Sequence, residues 1–147
     1  MADEIDGPST STTPVPEPTL NTLKYTPLAG NHEFRLLRIL PKLTDTPPIL
    51  CELVTASVAD SAGKYIAGSY VWGAPELASS IILNGISFGI RANLAYFLRA
   101  CRSKYKTRVI WIDAICINQD DMAERSSQVR IMSQIYTGAA SVYCWLG

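Results

Sequence analysis

The sequence predicts an α/β fold, and three features of residues 109–147 carry the prediction. First, an apolar, β-rich run, Val109-Ile110-Trp111-Ile112, gives way after Asn118-Gln119-Asp120-Asp121 to side chains at helical spacing. Second, another β-rich run begins at Ser141. Two successive strands joined through a helix run parallel, with a right-handed crossover in nearly all known proteins. Third, Asp113, Cys116, Asn118 and Gln119 directly follow the first of these strands, at the edge of an open sheet where ligands usually bind.

A chain of 147 residues, 48% of them apolar, is sufficient for one domain with a core. Its 13 basic and 13 acidic residues balance, so no net field recruits nucleic acid or an anionic membrane. Cys51, Cys101, Cys116 and Cys144 form no Cys-x-x-Cys pair, and His32 is the only histidine, so neither a zinc site nor any other metal or cofactor is expected. With no signal peptide and no apolar run of membrane-spanning length, a cytoplasmic protein with reduced thiols is expected.

Residues 1–21 are rich in Ser, Thr and Pro, bury too little to offset their ordering entropy, and are expected to be a disordered tail ahead of one domain over 22–147. Residues 34–40 and 49–55, separated by Pro41 and Thr44-Asp45-Thr46-Pro47-Pro48, read as an antiparallel hairpin, with Arg35 and Arg38 as solvated positions. Residues 64–73 read as a buried strand ending in a glycine loop. Gly68 weakens that strand unless something approaches its backbone closely. Ser69, Tyr70, Trp72 and Gly73 stand at its ligand-binding end, where an aromatic ring with a polar handle suits a cleft; Trp72 as plain core is the alternative.

Asn84-Gly85 supplies the two positive φ angles of a type I′ turn, and its hairpin is expected outside the main sheet. Leu94, Phe97, Leu98 and Cys101 fall at helical spacing within 92–103. The basic cluster Arg99, Arg102, Lys104, Lys106 and Arg108 reads as a solvated face. Residues 108–112 form the next strand. Asp121 with Glu124 matches a capping box that starts one helix, with Met122, Val129, Met132 and Tyr136 on its apolar face, Ile135 flanking it, and Gly138 as a left-handed terminator. Residues 141–146 are the last strand. A sheet ending on a strand without its covering helix suggests C-terminal truncation.

Tyr65-Ile66-Ala67-Gly68-Ser69-Tyr70-Val71-Trp72-Gly73, Leu83-Asn84-Gly85, Asn93-Leu94, Trp111-Ile112-Asp113-Ala114-Ile115-Cys116-Ile117-Asn118-Gln119, Glu124-Arg125, Gln128-Val129, Ile135-Tyr136 and Trp145-Leu146-Gly147 resemble, in order and spacing, the fungal heterokaryon incompatibility (HET) domain. The resemblance runs from about residue 34 to the end. It departs at Gly68, where the family usually has leucine. It implies a cytoplasmic fungal protein linked to non-self recognition and programmed cell death. It also implies a distant kinship with the Toll/interleukin-1 receptor (TIR) domain, a flavodoxin-like open parallel sheet whose members are adaptors or NAD-cleaving enzymes.

Two functions follow from the resemblance. One is a death-effector or interaction module working through self-association or a signalling partner, favoured by the lack of a recognised nucleotide loop. The other is an NAD glycohydrolase, in which a carboxylate stabilises an oxocarbenium-like transition state. Glu124 is its candidate carboxylate, with capping as the competing role, and Asp113 is the alternative. Ser69, Tyr70, Trp72, Gly73, Asn118 and Gln119 are the candidate ligand-binding residues. Cys116 has no histidine nearby in sequence to activate it and reads as an inert buried thiol.

Overall fold

The computed structural model describes residues 23–30 and 32–146; the tail expected over residues 1–21 lies outside them. The chain runs β1 (Glu33–Ile39), β2 (Leu50–Ser57), β3 (Ile66–Tyr70), β4 (Ser79–Leu83), β5 (Ile86–Ile90), α1 (Ala92–Cys101), β6 (Arg108–Trp111), α2 (Asp113–Cys116), α3 (Met122–Arg130), α4 (Met132–Gly138) and β7 (Ser141–Trp145). The strands form one sheet in the order β5-β4-β2-β1-β6-β3-β7.

The expected parallel unit is present: β3 lies between β6 and β7 and is parallel to both. The chain thus crosses over β3 on its way from β6 to β7. The β1–β2 hairpin is also as expected, pairing Glu33 with Ser57 through to Ile39 with Cys51. The sheet as a whole is mixed, not open and parallel, because β1 is antiparallel to β6 as well and joins the hairpin to the parallel strands. A second correction concerns the Asn84-Gly85 hairpin, which is the far side of the same sheet: β4 pairs in parallel with β2. Burial explains this, since Ile81 and Leu83 are fully enclosed and a hairpin left outside would expose both. The turn itself is as read, with positive φ at Asn84 (50°) and Gly85 (80°). The Asn84 side-chain oxygen also accepts from the backbone N–H of Leu53 at 2.9 Å, fastening the turn to β2.

Helices cover both faces of the parallel strands. On one face, a Cβ built on Gly68 would stand 2.7 Å from the Phe97 ring of α1 and 2.9 Å from Ile112 Cδ1, which is the close approach its presence in a strand called for. On the other face, the hydroxyl of Tyr65 donates to the carbonyl of Ile135 in α4, and Tyr136 packs edge-on against Trp111.

The single helix expected from Asp121 to Gly138 is broken at Ile131, whose φ of −103° and ψ of 6° divide α3 from α4. Its buried side is as expected only in α4, where Met132 and Tyr136 pack against the core and the flanking Ile135 is buried; in α3, Met122 and Val129 are exposed and Gln128 is buried, as is Ile131 at the break. Gly138 is not a left-handed terminator either; it is the last residue of α4, and a Cβ there would lie 3.1 Å from the Tyr65 hydroxyl. A side chain at that position would press on the Tyr65 hydroxyl.

Candidate functional site

The connection leaving β3 leads to α1 on one face, and the connection leaving the adjacent β6 leads to α4 on the opposite face. Where neighbouring parallel strands send their chains to opposite faces, a crevice opens outside their carboxyl ends. Such a cleft exists here. Its inner part, about 130 Å³, is lined by Tyr70, Trp72, Leu77, Phe88, Gly89, Ile90, Arg91, Leu94, Ala114 and Gln119. The outer part, about 980 Å³, shares Leu77, Phe88, Gly89, Ala114 and Gln119 with it and adds Leu23, Lys24, Tyr25, Ser79, Ser87, Asn118 and Asp120 among others. One wall is the carboxyl edge of the sheet, another the β4–β5 hairpin, and a third the segment before β1.

Four of the expected ligand-binding residues therefore meet in one place: Tyr70, Trp72, Asn118 and Gln119. Trp72 is a cleft residue and not core. It stacks on Tyr70 with centroids 6.3 Å apart, and the Arg91 guanidinium lies 4.7 Å over its ring. Gln119 is aimed by its amide, which donates to the Asp113 carbonyl at 2.8 Å. Gly73, at φ 72°, makes the turn after β3 and is crowded by Asn93, whose amide donates to the Val71 carbonyl. Ser69 falls on the other face and is exposed, beside the Gly68 carbonyl that accepts the Tyr136 hydroxyl at 3.4 Å.

Asp113 follows β6 by two residues and opens α2. Burial raises its pKa, against the backbone hydrogen bonds that lower it. Tyr70 is pushed up to about 12, first by burial and then by the Asp113 charge. The Asp113 side chain is not among those lining the cleft; the residue meets the cleft wall through its carbonyl, which accepts the Gln119 amide. Cys116 is fully buried, with burial raising its thiol to about 12, which suits an inert core group.

Glu124 is elsewhere. Its backbone N–H donates to Asp121 Oδ1 at 3.0 Å, so the N-cap half of the capping box forms. Its side chain does not reach back to Asp121. Both oxygens instead receive the Arg35 guanidinium at 2.7 Å, and Oε2 also accepts the Asn118 N–H at 2.6 Å. Arg35, expected to be solvated, has a side chain only 2% exposed. The sequence held a signal for this. Arg35 interrupts the apolar run Phe34-Leu36-Leu37 of a strand buried on both faces, and a charge there requires a partner. Arg38, by contrast, pairs with Glu52 in a half-exposed position, and Arg102 of the basic cluster reaches the carbonyls of Thr44, Thr46 and Pro48.

Among the described residues no group of three His, Cys, Asp or Glu side chains is placed to hold a metal ion, and no helix is long and apolar enough to cross a membrane. The architecture is thus that of a mixed α/β domain with a ligand-type cleft at the switch point of its parallel strands. Residues 65–147 match the family model described as heterokaryon incompatibility protein (HET). The chain is also 37% identical over 126 residues to heterokaryon incompatibility protein 6, OR allele, of Neurospora crassa, an alignment covering 77% of this chain and 18% of that protein. The chain belongs to the heterokaryon incompatibility family. No solved structure matches it.

Proposed function

We propose that this chain is a death-effector or interaction module in fungal non-self recognition, acting in the cytoplasm through association with itself or with a signalling protein. Its cleft serves as the recognition site. The observation that carries this reading is how the Trp111–Gln119 motif divides its residues. Trp111, Ile112, Ile115, Cys116 and Ile117 are buried, whereas Ala114, Asn118 and Gln119 line the cleft. A motif serving packing alone would not need two amides at a cleft wall. The relative's name supplies the process, and the chain spans only 18% of that relative's length.

The test is to express the protein in fungal cells with Trp72→Ala or Gln119→Ala. Both side chains are at the cleft rather than in the core, so both variants should keep the wild-type melting temperature and lose cell killing. Full killing by both would overturn the reading.

NAD glycohydrolysis is the second reading, and Asp113 favours it. Of the two candidate carboxylates, Asp113 has the burial-raised pKa and follows β6 at the carboxyl edge, near enough to Tyr70 for its charge to raise the phenol, while Glu124 is occupied by Arg35. Helices on both faces of the parallel trio β6-β3-β7 are the feature that supports a distant TIR-like kinship. On this reading purified protein releases nicotinamide from NAD, and Asp113→Asn abolishes the release while Glu124→Gln retains part of it. No release by the wild-type protein would leave the non-enzymatic module standing alone.

A further inference from the structure

Arg35 makes four hydrogen bonds through its two terminal nitrogens, while its Nε is buried without a partner. Its NH1 donates to Glu124 Oε2 at 2.7 Å and to the Cys116 carbonyl at 3.2 Å. NH2 donates to Glu124 Oε1 and to the Thr26 carbonyl, each at 2.7 Å. The guanidinium also lies 4.7 Å over the Tyr25 ring, and the Tyr25 hydroxyl donates to the Ile115 carbonyl at 2.7 Å. One buried cation therefore joins three pieces distant in sequence: the strap ahead of β1, the end of α2, and the first turn of α3. Glu124 adds a fourth tie through the Asn118 N–H.

Two of these pieces are walls of the cleft. The strap contributes Leu23, Lys24 and Tyr25, and the chain after α2 contributes Asn118, Gln119 and Asp120. Neither is held by strand pairing: the strap is tied by the Tyr25 and Arg35 side chains, and the wall by the Glu124 carboxylate, the Gln119 amide and the Asp121 N–H to the Asn118 carbonyl. Breaking one partner of a buried, bidentate pair leaves the other charge uncompensated, and the loss falls first on whatever that pair alone holds.

We propose that Glu124 and Arg35 are positioning residues that together latch the strap and the Asn118–Asp120 wall in place, so that release of the latch loosens these two cleft walls without unfolding the sheet. Glu124 then belongs to the site through Arg35 and Asn118, and not by touching a ligand. The inference rests on the cleft being the functional site, but the latch is measurable whatever the cleft binds.

The four free cysteines supply the measurement. Cys116 is fully buried at the latch, Cys51 and Cys101 are buried in β2 and α1, and Cys144 is exposed. Pulsed labelling with a thiol reagent, read by mass spectrometry, follows each separately. In the wild-type chain Cys144 should label at once and the other three slowly. In Glu124→Gln, Cys116 should label at least tenfold faster, with Cys51 and Cys101 at their wild-type rates. Tyr25→Phe removes one strap bond and strands no charge; it should accelerate Cys116 to a lesser degree, again alone. The latch is refuted if Cys116 keeps its wild-type rate in both variants. It is equally refuted if in neither variant Cys116 parts from Cys51 and Cys101, because the pair would then hold the whole fold and not the cleft. A latch that behaves as expected while cleft variants kill normally would instead count against the cleft as the functional site.

Discussion

Gly68 shows how one residue can be set by its neighbours. The sequence places it in a strand, where glycine is unfavourable, and the Phe97 ring and Ile112 Cδ1 occupy the space a Cβ would take. Gly68→Ala is therefore expected to lower stability by about 1–3 kcal/mol through overpacking. Urea denaturation should show a shifted midpoint with an unchanged slope. Pairing it with Phe97→Leu should recover part of the loss, since the ring is the principal obstacle and the two sites share one contact. Arg35 is the opposite case. Its partner is 89 residues away, so the sequence announced that a partner must exist without saying which carboxylate supplies it.

Among the elements, α3 separates pattern from packing. Apolar side chains at helical spacing pointed to Met122 and Val129, yet both are exposed at 68% and 60%, while the polar Gln128 is 1% exposed and donates to the Glu33 carbonyl at 3.0 Å. The bend at Ile131 rotates α4 relative to α3, so that a single face cannot be drawn across both. Met122→Ser and Val129→Ser should each change stability by no more than about 0.5 kcal/mol. Ile135→Ala, in contrast, should cost about 2–5 kcal/mol, because its fully buried side chain would leave a cavity in the core. Thermal unfolding of the three variants side by side distinguishes this packing from the expected one.

For the whole molecule, the burial of Asp113 makes stability depend on pH. Its folded pKa lies above the ordinary value of 3.8, so over the interval between the two the native state binds more protons than the unfolded chain. Stability from this group therefore falls as pH rises from 3.8 through the folded pKa, and stays lower above it. Asp113→Asn removes that loss. The variant should be more stable than the wild type at pH 7, and the difference should shrink toward pH 4, as measured by denaturant titration at both.

What the sequence determined is local. Alternation and apolar runs gave the strands, Asn84-Gly85 gave the turn, Asp121 gave the helix start, and Tyr70, Trp72, Asn118 and Gln119 were assigned to one edge because polar residues that follow parallel strands collect there. These features depend on neighbours in the chain, and so a single sequence reveals them. Tertiary structure alone decided that the β4–β5 hairpin joins the sheet, that β3 separates β6 from β7, and that Glu124 faces Arg35. Each of those outcomes depends on which distant surface buries the most apolar area and satisfies the most buried polar groups, a competition between remote segments that no periodicity records.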